Sequence, residues 1–398
     1  MVEVYSKALQ QKLAVNRVIG KIETGRPGPT LVFFAGIHGN EVSGVFAFKR
    51  VFGELDKMKD NIRGNIYGIS GNLKALASNK RYIKEDLNRI WTKSNIKKII
   101  NSEVPADEEE ELVDLLGIID EILKNDSGPF YFIDLHSTSS KTLPFITIND
   151  ALINRKFSSL FPVPIVLGIE EFLEGPMLSY VNQLGYVAIG FESGQHDDEA
   201  AITNNMAFIY LSLVFARLIK KKSLPEFESY FNLLQVASRG VSDIYEITYL
   251  HRIQNGEKFK MLAGFESFEK VKKGTPLALS DGNTLESPYS ARLFMPLYQK
   301  LGNDGFFLIR RIPPFVLKLS SFLRKAKVDN LLVILPGIQW ENREKEILRV
   351  DLNTAKYFTG PLFHLLGYRI RVMDENYLRL YNREHAAKTE MYEGEKWY

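Results

Sequence analysis

Short apolar runs alternate with helical patterns over roughly the first 220 residues. Thr30–Gly36 is a continuous apolar run that ends in glycine, which is typical of a buried strand. Further candidate strands are Asn65–Ser70, Phe130–Leu135, Phe145–Asn149, Ile165–Leu167 and Val187–Phe191. Helical patterns cover Glu41–Phe52, a stretch that opens at Pro105, and Asn205–Lys222. The alternation predicts an α/β layered domain with a largely parallel sheet.

The pattern changes after Lys222. Ser242–Arg311 contains short alternating strands separated by the turn signals QNGE, KKGT, SDGN and GNDG, which favours a small all-β barrel or sandwich. Its segment FEKVKKGTPLALSDGNTLESPYSARLFMP resembles the hairpin of lipoyl- and biotinyl-type barrel-sandwich domains, without the modifiable lysine at the turn. We therefore predict an α/β domain over 1–225, a small β domain over 235–315, and a mixed, partly helical C-terminal extension over 316–398.

Composition excludes several functional classes. The 398 residues contain no Cys, so disulfides, cysteine-based zinc sites, iron–sulfur centres and a thiol nucleophile are excluded. Lys and Arg number 51 against 48 Asp and Glu, a balance that argues against a nucleic-acid-binding chain. There is no signal-peptide pattern and no bilayer-length apolar run, so we expect a cytoplasmic protein without a membrane partner. Phosphate-loop, dinucleotide-binding and serine-hydrolase elbow motifs are absent from the sequence.

Two histidines directly follow candidate strands. His38 lies in HGNE, three residues before Glu41, and His136 closes FIDLH. Ligands of open α/β sheets bind at the carboxyl ends of strands, so these three residues could hold one Zn²⁺ and leave a position for water. Asp134, on the same strand face as His136, could bind an imidazole N–H.

The alternative interpretation is that a strand-end histidine is an ordinary hydrogen-bonded loop residue. His196 also has a glutamate three residues on, Glu199, so at least one HxxE match is expected to be chance. The acidic run Asp107–Glu111 is explained by the macrodipole of its helix, and we give it no functional role.

Two further segments carry candidate chemistry. Residues 71–91, GNLKALASNKRYIKEDLNRIW, place several basic side chains near one amide, and they form either a solvated face or an anion pocket. The residues concerned are Lys80, Arg81, Lys84, Asn88 and Arg89. Glu192 in GFESGQHDD follows the strand-like run YVAIGF and is either solvated or a general base beside a metal.

Taken together, GIHGNE, NKRYIKEDLNR, DLHST and GFESG resemble the succinylglutamate desuccinylase/aspartoacylase family, a branch of the zinc-carboxypeptidase-like fold. The likeness covers roughly residues 28–315 and depends on the order and spacing of all four motifs. It implies a mixed sheet flanked by helices, followed by a small β domain. The implied reaction is hydrolysis of the amide bond of a small N-acyl amino acid that carries a carboxylate.

The resemblance implies a role for each matched position. One zinc ion per chain would be held by His38, Glu41 and His136. Glu192 would be the general base and later the proton donor, and Arg81 would polarise the scissile carbonyl. Asn88 and Arg89 would bind a substrate carboxylate.

The chain also departs from the family pattern. Aspartoacylases use an arginine before the catalytic glutamate to bind a second substrate carboxylate, whereas SYVNQLGYVAIGFE contains no Arg or Lys, which disfavours N-acetylaspartate. The triplet that resembles the family's NPR reads Asn72-Leu73-Lys74. Tyr289 and Tyr298 are both candidates for the substrate-contacting tyrosine that the family places in the β domain.

Several readings stay open. A zinc carboxypeptidase that cleaves peptides would use the same ligands, and a non-catalytic binding module would keep the fold without turnover. The extension would pack against the core, form a subunit contact or, less expectedly, cover the site. The sequence leaves homo-oligomerisation open.

Overall fold

The computed structural model describes residues 1–342, 345–354, 360–372 and 376–398. The strands in these ranges are β1 (Val2–Ser6), β2 (Gln11–Val15), β3 (Val18–Glu23), β4 (Thr30–Ala35), β5 (Asn65–Ser70), β6 (Phe130–Thr138), β7 (Phe145–Ile148), β8 (Ile165–Leu167), β9 (Val187–Gln195), β10 (Ile244–Arg252), β11 (Phe259–Met261), β12 (Lys270–Val271), β13 (Pro276–Ser280), β14 (Asn283–Glu286), β15 (Ala291–Phe294), β16 (Asp304–Arg311), β17 (Ile338–Trp340), β18 (Ile347–Asp351), β19 (Tyr368–Val372) and β20 (Tyr377–Asn382). The α-helices in these ranges are α1 (Ser43–Leu55), α2 (Leu73–Ser78), α3 (Lys93–Ile100), α4 (Glu108–Asn125), α5 (Leu152–Ser158), α6 (Ile169–Phe172), α7 (Met177–Gln183), α8 (Glu199–Phe215), α9 (Phe227–Ala237), α10 (Pro314–Lys325) and α11 (Gly360–Leu365).

Eleven strands form one mixed sheet in the order β12-β15-β16-β10-β8-β7-β9-β6-β4-β5-β3. The central strands β5, β4, β6 and β9 run parallel, while β7 is antiparallel to β9. Alternate residues of β4 pack on opposite sides: Leu31 and Phe33 face α1 and α8, whereas Val32 and Phe34 face α4 and α7. Because helices cover both faces, the central strands are apolar throughout. The predicted α/β class with a helix-flanked mixed sheet is therefore confirmed, and its zinc-carboxypeptidase-like character stays a prediction.

The β-rich region joins the same sheet. β10 pairs in parallel with β8 and antiparallel with β16, which extends the sheet as far as β12. Among the described residues, three smaller antiparallel sheets stand apart from it: β1-β2, β11-β13-β14 and β17-β18-β20-β19. The predicted all-β composition of this region is thus seen, and the three domain boundaries stay predictions.

The C-terminal segment packs against the core. The buried Tyr392 hydroxyl donates to the Phe130 carbonyl at 2.6 Å and accepts from the Val187 amide at 2.9 Å, at the starts of β6 and β9. The Trp397 ring lies 5.5 Å from that of Phe157. The segment therefore completes one end of the central sheet.

A buried ion network lies where the C-terminal segment meets the sheet. Arg324 of α10 contacts Asp150 at 2.7 Å and Glu384 at 3.0 Å, and its side chain is 0% exposed. Arg155 pairs with both oxygens of Asp150. Glu384 also accepts from the Leu152 amide, which caps α5. Charges this deeply buried need such partners, so the network fixes the position of α10.

One predicted helix is wrong in its bounds. The helix predicted over Asn205–Lys222 runs over Glu199–Phe215, because the Asp198 side chain caps its start by accepting from the Ala200 amide at 2.9 Å. The chain breaks helical geometry at Arg217, whose φ is +62°. The lysines therefore lie beyond the helix.

The acidic run Asp107–Glu111 in the first turn of α4 does more than complement the helix macrodipole. Glu108 is buried and accepts from the amides of Ile83, at 2.6 Å, and Lys84, at 3.1 Å. It therefore holds the loop that leads into Asp86.

Among the described residues, no helix combines the length and apolar character needed to cross a bilayer.

Candidate active site

The carboxyl ends of three parallel strands bring the candidate catalytic residues together. His38 and Glu41 lie on the loop between β4 and α1, and His136 lies inside β6 rather than after it. Glu192 of β9 is directly opposite His136 in the strand register. Since β6 is flanked by β4 and β9, these side chains meet at one edge of the sheet.

Two histidines converge on one carboxylate. His38 Nδ1 lies 2.7 Å from Glu41 Oε1, and His136 Nδ1 lies 3.1 Å from Glu41 Oε2. All three side chains are buried, and one ligand atom from each lies within 4.8 Å of the others. The Ser137 amide donates to Glu41 at 2.9 Å, which fixes the carboxylate between the rings.

Each imidazole is oriented from behind by an aspartate. His136 Nε2 lies 2.6 Å from Asp134, as the sequence predicts. His38 Nε2 lies 3.1 Å from Asp86 Oδ1, a partner that sequence reasoning missed. Such carboxylate–histidine pairs fix the tautomer that leaves Nδ1 free to bind a metal. Asp86 lies in the same motif as Arg81, KRYIKEDLNR, and this shared motif was the sequence signal that could have identified it as a site residue.

The electrostatic environment of Glu41 and His136 favours a bound divalent cation. Burial alone would raise the pKa of Glu41, but the His38 and His136 rings outweigh it and hold that pKa well below its usual range. Burial would lower the pKa of His136, but Asp134 and Glu41 raise it well above its usual range. The site thus concentrates negative charge around two imidazoles, the donor set that suits a catalytic metal with an open position. Among the described residues, this is the one such cluster.

Glu192 lies beside the cluster and is available for proton transfer. Its Oε2 atom is buried and has no hydrogen-bond partner. Burial raises its pKa to about 8, because a carboxylate loses solvation there and has Glu41 and Asp134 near it. A carboxyl group in this state can both accept and return a proton near neutral pH.

Arg81 reaches the same cavity. Its guanidinium pairs with Asp86 Oδ2 at 2.9 Å and comes within 3.7 Å of Glu41. Burial would lower the pKa of Arg81, but Asp86 and Glu41 raise it, so the group stays charged beside the candidate metal ligands.

Asn88 and Arg89 also line this cavity but make structural bonds. Asn88 Oδ1 accepts from the Met177 amide at 2.9 Å. Arg89 pairs with Asp304 at 2.7 Å, a residue of β16 that sequence reasoning missed because it lies 215 positions away. Their role towards a substrate carboxylate stays a prediction.

The remaining sequence candidates lie outside the cavity. Lys80 and Lys84 are exposed. The Tyr289 hydroxyl bonds to Thr248, and the Tyr298 hydroxyl donates to the Leu262 carbonyl at 2.7 Å, and neither tyrosine is among the described residues that line the cavity.

Two other sequence motifs, the triplet that begins at Asn72 and the HxxE match at His196, have defined contacts in the structure. Asn72 caps α2, with its side chain accepting from the Ala75 amide. His196 lines the cavity without the partner that HxxE suggested. Its Nδ1 atom lies 2.9 Å from the Ser137 hydroxyl, while Glu199 is an exposed residue in the first turn of α8.

Known proteins match the part of the chain that contains this site. Residues 27–209 match the model of the succinylglutamate desuccinylase/aspartoacylase catalytic domain. The chain is 37% identical over 62 residues to the succinylglutamate desuccinylase of Photorhabdus laumondii, covering 16% of this chain and 19% of that protein. It is 28% identical over 163 residues to the probable aspartoacylase of Acaryochloris marina, covering 39% of this chain and 52% of that one. The chain thus spans about half or less of the length of these curated relatives.

Solved structures extend the likeness in fold. The succinylglutamate desuccinylase of Vibrio parahaemolyticus has a TM-score of 0.52 at 14% identity, over 78% of this chain and 90% of that one. The ectoine utilization protein EutE of Ruegeria pomeroyi has a TM-score of 0.53 at 16% identity, over 73% and 87%. The chain therefore resembles the succinylglutamate desuccinylase/aspartoacylase family in sequence over residues 27–209 and resembles its solved structures in fold.

Proposed function

We propose that the protein is a zinc-dependent hydrolase that cleaves the amide bond of a small N-acyl amino acid. The observation that carries this proposal is the convergence of His38, Glu41 and His136 beside the unpartnered Glu192 carboxylate. Among divalent ions, zinc is the one that imidazole and carboxylate ligands in a partly open site suit best. A cytoplasmic address and the oligomeric state stay predictions.

His38, Glu41 and His136 would hold the zinc ion. Bound there, zinc would supply a water molecule whose pKa is lowered to about 7. Glu192 Oε2 would take a proton from the attacking water and return it to the leaving nitrogen. Arg81 would donate to the carbonyl oxygen as negative charge develops there. The carbon–nitrogen bond breaks, the water oxygen joins the acyl carbon, and the products are a carboxylate and a free amine.

The test combines metal content with turnover. Protein purified without added metal should contain about one zinc per chain and should release free amine from at least one N-acyl amino acid. His38→Ala should lose both properties. If His38→Ala keeps its zinc and its activity, the site is wrong. If the protein cleaves blocked dipeptides and no free N-acyl amino acid, it is the zinc carboxypeptidase alternative. Zinc with no turnover of either class would favour a binding module.

A further inference from the structure

The cavity beside the candidate metal centre is lined by two chemically different sets of side chains. The charged set is the His38–Glu41–His136 cluster, Glu192 and Arg81. The apolar set consists of aliphatic, thioether and aromatic side chains from α6, α7, the segment between them and the β-rich region, and four of its six members share one apolar cluster. The six side chains are Ile169, Leu173, Leu178, Met295, Leu297 and Phe307. We name this group the apolar wall.

Leu178 of the apolar wall lies over the strand that carries Glu192. Thr147 of β7 lies opposite Gly190 of β9, two residues before Glu192. At ~3.3 Å per residue, Gly190 lies about 7 Å from Glu192 along the strand. A Cβ at Gly190 would lie 2.6 Å from Thr147 Oγ1 and 3.2 Å from Leu178 Cδ1. The glycine therefore lets Leu178 lie close over the strand and form part of the wall.

The cavity has positive charge for one substrate carboxylate and not for a second, because Arg81 is proposed to bind the carbonyl oxygen and Arg89 to bind one carboxylate. Of the described residues that line it, only Arg81 and Arg89 are Lys or Arg. Arg81 pairs with Asp86 at 2.9 Å and Arg89 with Asp304 at 2.7 Å. The apolar wall itself contributes no donor that could bind an anion. A carboxylate placed against this wall would lose its hydration without gaining a partner, which is strongly unfavourable.

We propose that the substrate has a single carboxylate and an apolar arm, aliphatic or aromatic, that occupies the apolar wall. This inference rests on the proposed deacylase function and adds the substrate class. The apolar arm could be the side chain of the amino acid or a medium-length acyl chain, and both have the same chemistry towards the wall. Dicarboxylic N-acyl amino acids would be poor substrates.

The test measures kcat/KM for matched amides with N-acetylglycine as the reference. N-acetyl-L-leucine and N-acetyl-L-phenylalanine place the apolar arm on the amino acid, and N-hexanoylglycine places it on the acyl group. At least one of these series should exceed N-acetylglycine by about tenfold or more, as expected for methylene groups in an apolar pocket. N-acetyl-L-aspartate and N-succinyl-L-glutamate should fall below it. The series with the higher kcat/KM shows whether the amino acid or the acyl group carries the apolar arm.

A charge placed in the wall gives an internal check. Leu178→Arg should reduce kcat/KM for the favoured apolar substrate at least tenfold and reduce the discrimination against N-succinyl-L-glutamate. Leu178→Ala should weaken the apolar preference without favouring acidic substrates. The matched control is Leu331→Arg, which makes the same change at a side chain that is 60% exposed outside the cavity. It should leave the preference unchanged.

The outcomes separate the inference from the function. Faster turnover of the acidic amides than of N-acetylglycine, or no gain in either apolar series, overturns the inference and leaves the deacylase intact. If no amide turns over, the proposed function fails, and calorimetry on Glu192→Gln then decides the inference. Tighter binding of N-acetyl-L-leucine than of N-acetyl-L-aspartate would uphold the apolar wall. Equal or weaker binding, or no binding of either, would overturn it.

Discussion

His38 Nε2 lies 3.1 Å from Asp86 Oδ1, while the other oxygen of the same carboxylate holds Arg81 at 2.9 Å. One aspartate therefore orients both a candidate metal ligand and the candidate carbonyl-binding arginine. Burial alone would raise the pKa of Asp86, but His38 and Arg81 hold that pKa well below its usual range. The Asp86 carboxylate is therefore ionised at neutral pH.

Asp86→Asn should weaken both functions of this carboxylate. We expect zinc affinity to fall by about 10–100-fold, since the charged partner of a metal-binding histidine is lost. Turnover at saturating zinc should also fall, because Arg81 loses its pairing charge. Competition with a chelator gives the affinity. Asp60→Asn, at a fully exposed side chain, is the matched control and should change neither quantity. Unchanged zinc affinity in Asp86→Asn would show that this contact does not orient His38.

Glu192→Gln should separate metal binding from chemistry. The amide cannot take the proton, so kcat should fall by about 10²–10⁴-fold. Zinc content should stay near that of the unmodified protein, because His38, Glu41 and His136 are intact. Glu199→Gln, an exposed residue in the first turn of α8, should behave like the unmodified protein. A variant with normal kcat would remove Glu192 from the mechanism.

Gly39→Ala should disturb the site through the backbone. A Cβ at Gly39 would lie 2.0 Å from the Ala75 carbonyl carbon, and the Gly39 amide donates to the Arg81 carbonyl at 3.2 Å. Relief of the clash must move the loop that carries His38 away from α2, so we expect loss of activity and reduced stability. Gly53→Ala is the matched control, because a Cβ there meets nothing within 4 Å. That change in α1 should raise the free energy of unfolding by about 0.5–1 kcal/mol.

Tyr392→Phe tests how far the C-terminal segment stabilises the core. The change leaves the Phe130 carbonyl and the Val187 amide without their buried partner. The free energy of unfolding in urea should fall by about 1–3 kcal/mol. Tyr5→Phe, at a side chain that is 43% exposed, should change it by much less. Equal effects of the two substitutions would contradict the anchoring role.

Asp150→Asn should destabilise the protein in a pH-dependent way. Burial would raise the pKa of Asp150, but Arg155 and Arg324 outweigh it and hold that pKa well below its usual range. The stabilisation by the charge is therefore complete above the unfolded pKa of about 3.9, and it is lost as the pH falls below that value. At pH 7 the substitution should cost about 3–5 kcal/mol.

Urea unfolding of both proteins across pH 3–7 measures this effect. The gap between them should narrow as the solution becomes acidic. Asp120→Asn, on the exposed side of α4, should show a small gap at every pH. A constant large gap for Asp150→Asn would mean that its charge is not responsible.

Local signals in the sequence predicted the central elements well. The bounds of β5 and β8 agree with the predicted runs Asn65–Ser70 and Ile165–Leu167, because continuous apolar runs mark strands covered on both faces. The start of α8 was missed because that helix is buried on nearly all sides. No apolar stripe marks its register in the sequence, and the Asp198 cap defines its start.

Long-range partners could not be predicted from local patterns. Neither the pairing of Arg89 with Asp304 nor that of β10 with β8 leaves any periodic trace in the sequence. The motif order placed His38, Glu41, His136 and Glu192 near one another, but the apolar wall is assembled from segments more than a hundred residues apart.

The pairing of β10 with β8 has a practical consequence for anyone who wishes to shorten this protein. A chain cut near residue 225 would expose the Ile165–Leu167 edge, whose backbone groups bond to β10 in the intact sheet. It would also remove Asp304, Met295 and Phe307 from the cavity. An exposed, flat, apolar strand edge is a template for aggregation. We therefore expect such a fragment to precipitate during expression, and a smaller working catalyst would need a redesigned strand in place of β10.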